Sequence, residues 1–238
     1  MVELFTLVLA QTNKHYDRFV SLGIDKDKIK IVGSVKFDKD YKIEKKESSV
    51  RDPNLIIATS THSGEEEIIS KVFKKLASID NSLKFVLVPR HPERASKIVR
   101  DLKKSGFNPT LFSKNNLKID LSNTINLIDE IGYLESLFSQ ANIAFIGGSL
   151  IPRGGQNFLE ALKFSLPISS GESFYNFQEI AEDLIEMNIL KVGNSAEKLK
   201  LIWEEQLNSV PNQIYEKTDN YLKQRMGASQ RAFEHLSL

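Results

Sequence analysis

Short apolar runs alternate with longer amphipathic segments along most of the chain, and this alternation constrains the fold more than any other feature. Runs such as 55–58, 85–88 and 143–146 are typical of buried strands, and the segments between them are typical of helices that cover a sheet. The pattern predicts an α/β fold with a doubly wound parallel sheet of the Rossmann-like type. In such sheets, ligands bind beyond the carboxyl ends of the strands, where the strand order reverses.

Composition excludes several classes of function. The 238 residues carry 32 Lys and Arg and 31 Asp and Glu, so the chain lacks the basic excess of a nucleic-acid binder. The absence of cysteine excludes disulfides, thiolate metal ligands and a cysteine nucleophile. We expect no metal site, because no His, Asp or Glu cluster has metal-ligand spacing. We also expect no membrane span, because no apolar stretch approaches roughly 18 residues.

The chain divides into four predicted segments. Residues 1–37 form a leading β-α-β segment, and residues 38–54 form a charged loop. Residues 55–210 form the main Rossmann-like domain, and residues 211–238 form one long C-terminal helix. The binding residues are expected in the third segment, directly after its strands.

The run 59–66, with sequence TSTHSGEE, follows the first strand of the main domain. Small hydroxyl residues and a glycine at a helix N-terminus expose backbone N–H groups that can hold an anion. The spacing of Ser63 and Glu66 equally fits a capping box, which would need no ligand. His62 is either part of a binding site or an ordinary loop histidine.

Arg90 follows the next strand, in the run 88–94 (VPRHPER). A guanidinium fork at the carboxyl end of a strand suits a phosphate or a carboxylate. A surface pair between arginine and glutamate is the alternative interpretation.

The richest motif is Gly147–Glu160, which holds four glycines between a strand and a helix predicted from Asn157. Glycines permit close backbone approach and positive φ, and the first amides of a helix are free to bind phosphate. Glu160 lies about one turn into that helix, where its carboxylate can accept hydrogen bonds from ribose hydroxyls. The motif is neither a P-loop nor a GxGxxG fingerprint, and a glycine-rich turn before a capped helix is the alternative.

Taken in this order, the segments resemble the C-terminal half of 3-deoxy-D-manno-octulosonic acid (Kdo) transferases, which have the two-domain GT-B fold. The resemblance covers nearly the whole chain. It is carried by Gly33–Asp38, Thr59–Glu66, Pro89–Arg94, Phe145–Leu150, Gly154–Glu160 and Phe174–Phe177.

The resemblance implies a glycosyltransferase that moves Kdo from CMP-Kdo to a lipid A precursor in lipopolysaccharide biosynthesis, with CMP-Kdo as donor substrate and no cofactor. By similarity, the CMP contacts fall on Pro89, Arg90, Ile131, Gly132, Tyr133, Asn157, Phe158, Leu159 and Glu160. Ser60, Thr61, His62, Gly148 and Ser149 are expected to add to the donor site. The chain departs from the family at Ile131-Gly132-Tyr133, where Met-Gly-Glu is common, and at Gln156-Asn157-Phe158, where His-Asn-Pro is common.

The resemblance also implies an N-terminal half with the membrane anchor, the acceptor site and the general base. We therefore expect this chain to be a cytoplasmic fragment without catalytic residues, inactive by itself, and the intact enzyme to act at the cytoplasmic face of the inner membrane. A homodimer through the exposed domain interface is an open alternative for its association. Two other functions also stay open: a UDP-sugar transferase or epimerase of GT-B fold, and a non-catalytic interaction domain.

Overall fold

The computed structural model describes residues 4–38, 51–120, 125–208 and 212–236. It contains two compact units, Met1–Ile43 with Glu216–Leu238, and Glu44–Tyr215. Most of the predicted charged loop, residues 39–50, lies outside the described residues.

The secondary structure follows the predicted alternation. The described strands are β1 (Val8–Ala10), β2 (Ile29–Ile31), β3 (Leu55–Thr61), β4 (Lys84–Pro89), β5 (Thr110–Leu111), β6 (Ile125–Leu127), β7 (Ile143–Ile146), β8 (Ile168–Ser170) and β9 (Leu190–Val192). The described helices are α1 (Asn13–Ser21), α2 (Glu65–Ala77), α3 (Ala95–Lys104), α4 (Leu134–Gln140), α5 (Leu159–Leu162), α6 (Gln178–Glu186), α7 (Ala196–Leu207), α8 (Asn212–Arg225) and α9 (Ala228–Leu236).

The larger unit is built on a seven-stranded sheet in the order β5-β6-β4-β3-β7-β8-β9. Every pairing in this sheet is parallel, including β3 with β4 and β3 with β7. The chain builds one side of the sheet from β3 through β4, β5 and β6, and then the other side from β7 to β9. The strand order reverses between β3 and β7, so the predicted doubly wound sheet is confirmed.

The core of the larger unit lies where α2, α3 and α7 pack on the sheet. Trp203 of α7 is fully buried between Phe85 and Phe145, and its indole N–H donates to Ser169 Oγ at 2.9 Å. A buried indole needs such an acceptor, because an unpaired buried N–H group is costly. Trp203 is therefore a packing residue.

The smaller unit pairs β1 with β2 in parallel, and α1 lies between them in the chain. The prediction of one long helix over 211–238 is wrong, because the structure has two helices there, α8 and α9. The break falls at Gly227, which has φ +88°. There the Asp38 carboxylate accepts hydrogen bonds from the backbone N–H groups of Gly227 and Ala228, at 2.7 and 3.1 Å, and also of Ser229. Asp38 thus caps the start of α9.

Candidate functional site

The predicted binding segments all leave the same edge of the sheet. They follow β6, β4, β3 and β7, which are consecutive neighbours in the sheet. Because all four strands are parallel, their carboxyl ends meet at one edge, and β6 and β7 lie about 14 Å apart at the usual strand spacing. The point of strand-order reversal, between β3 and β7, lies within this row.

Glu65 joins β3 to the loop after β7. Its carboxylate is fully buried and accepts four backbone hydrogen bonds. Oε2 accepts from His62 at 2.9 Å and from Gly148 at 2.7 Å. Oε1 accepts from Ser149 at 3.0 Å and from Leu150 at 2.9 Å. One side chain at the start of α2 therefore holds the turn after β3 and the glycine-rich loop together.

The predicted capping box of Ser63 and Glu66 is wrong. The N-cap of α2 is Gly64, with φ +101° and no side-chain cap. Glu66 instead forms an ion pair with Arg94 at 2.9 Å. The neighbouring Glu65 instead bonds back to the residues before the helix, where its carboxylate accepts from His62 N–H.

The other side of the glycine-rich loop is held by the segment after β8. Asn176 donates from Nδ2 to the Arg153 carbonyl at 3.0 Å, and from its backbone N–H to the Gly154 carbonyl at 3.0 Å. Tyr175 donates its hydroxyl to the Pro152 carbonyl at 3.3 Å. The loop is thus fixed on both flanks, while the side chain of Arg153 is exposed.

The ends of β3 and β7 approach each other very closely. A Cβ added at Gly147 would lie 2.7 Å from the Ser60 carbonyl oxygen and 2.7 Å from Thr61 Cα. Ser60 adopts φ +54°, and the β3–β4 register shifts between Thr59 and Thr61. Left-handed backbone at a residue other than glycine is strained, and such strain is concentrated at functional sites.

Three of the predicted segments, 59–66, 88–94 and 147–160, meet at His62. Its Nε2 lies 3.4 Å from Gln156 Nε2, and its ring centroid lies 5.9 Å from that of His91. Because an amide nitrogen only donates, this contact is a hydrogen bond when His62 carries its proton on Nδ1. The segments that carry Arg90 and Asn157 therefore converge on one imidazole.

The pKa of His62 is lowered from its ordinary value of 6.5, first by burial and then by the positive fields of His91, Arg153 and Arg94, against the raising effect of Glu65. The unfolded chain therefore binds this proton more tightly than the folded one. The contribution of His62 to stability is complete above about pH 6.5 and is lost as the pH falls toward the lowered folded pKa.

We expect the melting temperature to fall on acidification from pH 7.5 to 5.5, and His62→Asn to reduce that fall. Differential scanning calorimetry of both proteins at the two pH values measures the fall in melting temperature. An identical pH dependence in His62→Asn would contradict the assigned shift.

The remaining predicted residues differ in what they can offer a ligand. Arg90 is exposed, and within the described ranges its guanidinium has no hydrogen-bond or ion-pair partner. Asn157 and Glu160 are half-buried and bonded to each other, from Nδ2 to Oε1 at 3.3 Å.

Phe158 and Leu159 are fully buried, so they can reach a ligand only through their backbone. Pro89 is also buried, next to Arg90.

Gly148 and Ser149 both form hydrogen bonds to other residues of the protein. Both amides donate to Glu65, and the Gly148 carbonyl accepts from Gly155 N–H at 2.9 Å. Ser149 Oγ donates to the Ile146 carbonyl at 2.6 Å and accepts from Gly171 N–H at 2.8 Å. These two residues therefore set the shape of the loop.

The predicted segment 131–133 lies after β6, at the far end of the row. Ile131 is 85% exposed, and the Tyr133 ring packs edge-on against Phe112 with centroids 5.0 Å apart. Among the residues described, no hydrogen bond joins this segment to His62.

The predicted start of the next helix at Asn157 is wrong. α5 begins at Leu159 and ends at Leu162, and Asn157 Oδ1 already accepts from Leu159 N–H at 3.1 Å. A helix of one turn has little macrodipole to attract an anion. The exposed arginines Arg90 and Arg153 carry full positive charges in the segments that leave this edge.

Two residues of the candidate site, Glu65 and Arg153, are absent from the set predicted from the sequence. Glu65 lies in a run of three glutamates that is typical of a solvated first helical turn, so its burial had no local signal. Arg153, between Pro152 and two glycines, could have been found from its place in the loop.

Within the described part of the chain, no three or more His, Asp or Glu side chains are grouped as metal ligands would be. The helices described there are also too short or too polar to cross a bilayer.

Comparison with known proteins connects this site to a family, although no family model matches the chain. The 3-deoxy-D-manno-octulosonic acid transferase of Haemophilus influenzae is 36% identical over 241 residues, which cover 97% of this chain and 56% of that protein. The transferase of Rickettsia prowazekii is 29% identical over 94% of this chain and 52% of its own length. The chain thus spans about half the length of these curated relatives.

Solved structures agree with this match. The C-terminal CMP-Kdo binding domain of WaaA from Acinetobacter baumannii superposes with a TM-score of 0.65 and 25% identity, over 80% of this chain and 96% of that one. Anabaena HepE in complex with UDP and glucose superposes with a TM-score of 0.58 and 15% identity, over 98% of this chain and 63% of that one, which shows the fold alone.

The doubly wound sheet and the loops at its carboxyl edge define the Rossmann-like C-terminal domain of a GT-B glycosyltransferase. The chain is similar over nearly its whole length to 3-deoxy-D-manno-octulosonic acid transferases, and its fold matches the C-terminal CMP-Kdo binding domain of WaaA.

Proposed function

We propose that this chain binds the CMP-Kdo donor of a Kdo transferase, and that the intact enzyme transfers Kdo to a lipid A precursor at the cytoplasmic face of the inner membrane. One observation carries the proposal. An exposed arginine, Arg90, lies in the segment that reaches His62 through His91, and a glycine-rich loop held on both flanks reaches the same imidazole through Gln156, at the reversal point of the sheet. This is where doubly wound sheets bind nucleotides.

The charge of the site suits this donor. CMP-Kdo carries a phosphate, and its sugar is an acid, so two anionic groups need positive partners. Arg90 and Arg153 are both exposed at this edge, and Arg153 lies near enough to His62 to lower its pKa. We assign the phosphate to the Arg90 guanidinium, whose planar fork matches phosphate oxygens, and the sugar carboxylate to Arg153.

Asn157 and Glu160 are assigned to the ribose. Their side chains are half-buried at the end of the glycine-rich loop, and they bond to each other. A carboxylate and an amide there can exchange that bond for hydrogen bonds to vicinal hydroxyls. Tyr133 is assigned to the outer part of the nucleotide, because its segment lies at the far end of the row.

In the intact enzyme, an acceptor hydroxyl attacks the anomeric carbon of Kdo, and a base takes the hydroxyl proton. The bond from that carbon to the phosphate breaks, and its electron pair leaves with CMP. We place the base and the acceptor site in the portion of family members that this chain does not align with. The role proposed for this chain is to stabilise the charge of the departing phosphate through Arg90.

Titration calorimetry of the 238-residue chain tests the proposal. We expect CMP to bind, and to bind at least about tenfold more tightly than UMP, because a pocket that hydrogen-bonds the cytosine amino group rejects a base without it. Tighter binding of UMP or UDP would favour a UDP-sugar enzyme. Absence of binding by all three at millimolar concentration would contradict the proposal and favour an interaction domain.

A further inference from the structure

We propose that Glu65 is a positioning residue of the donor site, a proposal that rests on the function proposed above. Its buried carboxylate acts as an internal anion that occupies the amides of the glycine-rich loop and so fixes the loop around the donor. The donor phosphate is then met by side chains rather than by those amides.

The geometry of the loop supports the first half of this proposal. The successive N–H groups of Gly148, Ser149 and Leu150 all point at one carboxylate, at 2.7 to 3.0 Å. Successive amides in a turn form a concave site for an anion, and in many nucleotide-binding loops that anion is a phosphate of the ligand. Here the anion is part of the chain. A phosphate can reach those three amides only by displacing Glu65.

A helix-capping role alone does not account for this arrangement. Capping of α2 uses only the bond from His62 N–H, three residues before Glu65. The other three bonds reach residues 83 to 85 positions further along the chain. They tie the end of β3 to the loop after β7 at the point where the strand order reverses.

The same bonds place the functional groups of the loop. Two hydrogen bonds of Gly148 hold the loop. Its N–H donates to Glu65, and its carbonyl accepts from Gly155 N–H. Arg153 and Gln156 lie within and just after the segment closed by that second bond, and Gln156 contacts His62. Loss of the Glu65 carboxylate should therefore displace Arg153 and Gln156 without removing any group that touches the donor.

Glu65→Gln provides the test. The glutamine oxygen can still accept from one pair of amides, but its NH₂ group then faces the other pair, which are also donors. We expect hydrogen exchange at Gly148, Ser149 and Leu150, followed by NMR, to accelerate at least about tenfold, and CMP to bind about tenfold more weakly. Leu76→Ala, in the buried last turns of the same helix, is the control: it should destabilise the fold and leave the CMP affinity unchanged.

The outcomes separate the two proposals. Absence of CMP binding by the unmodified chain overturns the proposed function, while the exchange rates still show whether Glu65 holds the loop. Unchanged exchange at the three amides overturns the inference whether or not CMP binds. Faster exchange with an unchanged CMP affinity also overturns it. Should Glu65→Gln fail to fold, Glu65→Asp keeps the charge but is one methylene too short to reach both segments, and the same changes are expected there.

Discussion

Replacement of Gly171 by alanine should lower the free energy of unfolding by about 3 kcal/mol or more, because the new methyl group has no space and its neighbours cannot move aside. Gly171 is buried just after β8. A Cβ there would lie 2.1 Å from the Ser149 carbonyl oxygen and 2.5 Å from Leu150 N. Both are backbone atoms of the loop that Glu65 holds, so relief of the clash must break that arrangement.

Urea denaturation measures this loss, with Gly106→Ala as the matched control. Gly106 has φ +79°, and a Cβ there would meet only the flexible end of Lys74, at 3.9 Å. Its replacement therefore costs about 1–2 kcal/mol of backbone strain without a clash. Similar losses for the two variants would contradict the close packing of Gly171 against the loop.

Arg90→Ala should weaken CMP binding by about 10- to 100-fold, the range expected for loss of a charge-assisted hydrogen bond to phosphate. Stability should stay unchanged, because the Arg90 side chain is exposed and has no partner in the described part of the protein. Arg90→Lys keeps the charge but loses the planar fork, so an intermediate affinity is expected.

Calorimetric titration with CMP checks the prediction, and Arg100→Ala is the control because Arg100 is an exposed arginine in the middle of α3. Removal of Arg100 should leave the affinity within twofold. If Arg90→Ala and Arg100→Ala bind CMP equally well, Arg90 does not contact the phosphate.

The fold was predictable wherever local sequence decides the structure. Uninterrupted apolar runs can be satisfied only in a buried strand, which is why β3, β4 and β7 were found. β5 and β9 were missed because they have only two and three residues and lie at the edges of the sheet, with too little pattern to detect. The break between α8 and α9 falls at Gly227, and glycine is a local signal for a helix end, but its hydrogen-bond partner Asp38 lies 189 residues earlier and could not be identified locally.

The candidate site was predictable in its location but not in its internal contacts. Because ligands bind beyond the carboxyl ends of parallel strands, the motifs after β3, β4 and β7 could be selected from the sequence. Glu65 could not be selected, because a glutamate in a first helical turn is normally an exposed partner of the macrodipole. Its burial is imposed by a loop more than 80 residues away.

A crystal structure of the 238-residue chain with CMP tests the central claim most directly. We predict that the phosphate lies within hydrogen-bonding distance of the Arg90 guanidinium, beside Gln156 and Asn157, while the amides of Gly148, Ser149 and Leu150 remain on Glu65. A phosphate bound to those three amides with Glu65 displaced, or a CMP bound away from Arg90, would contradict the account.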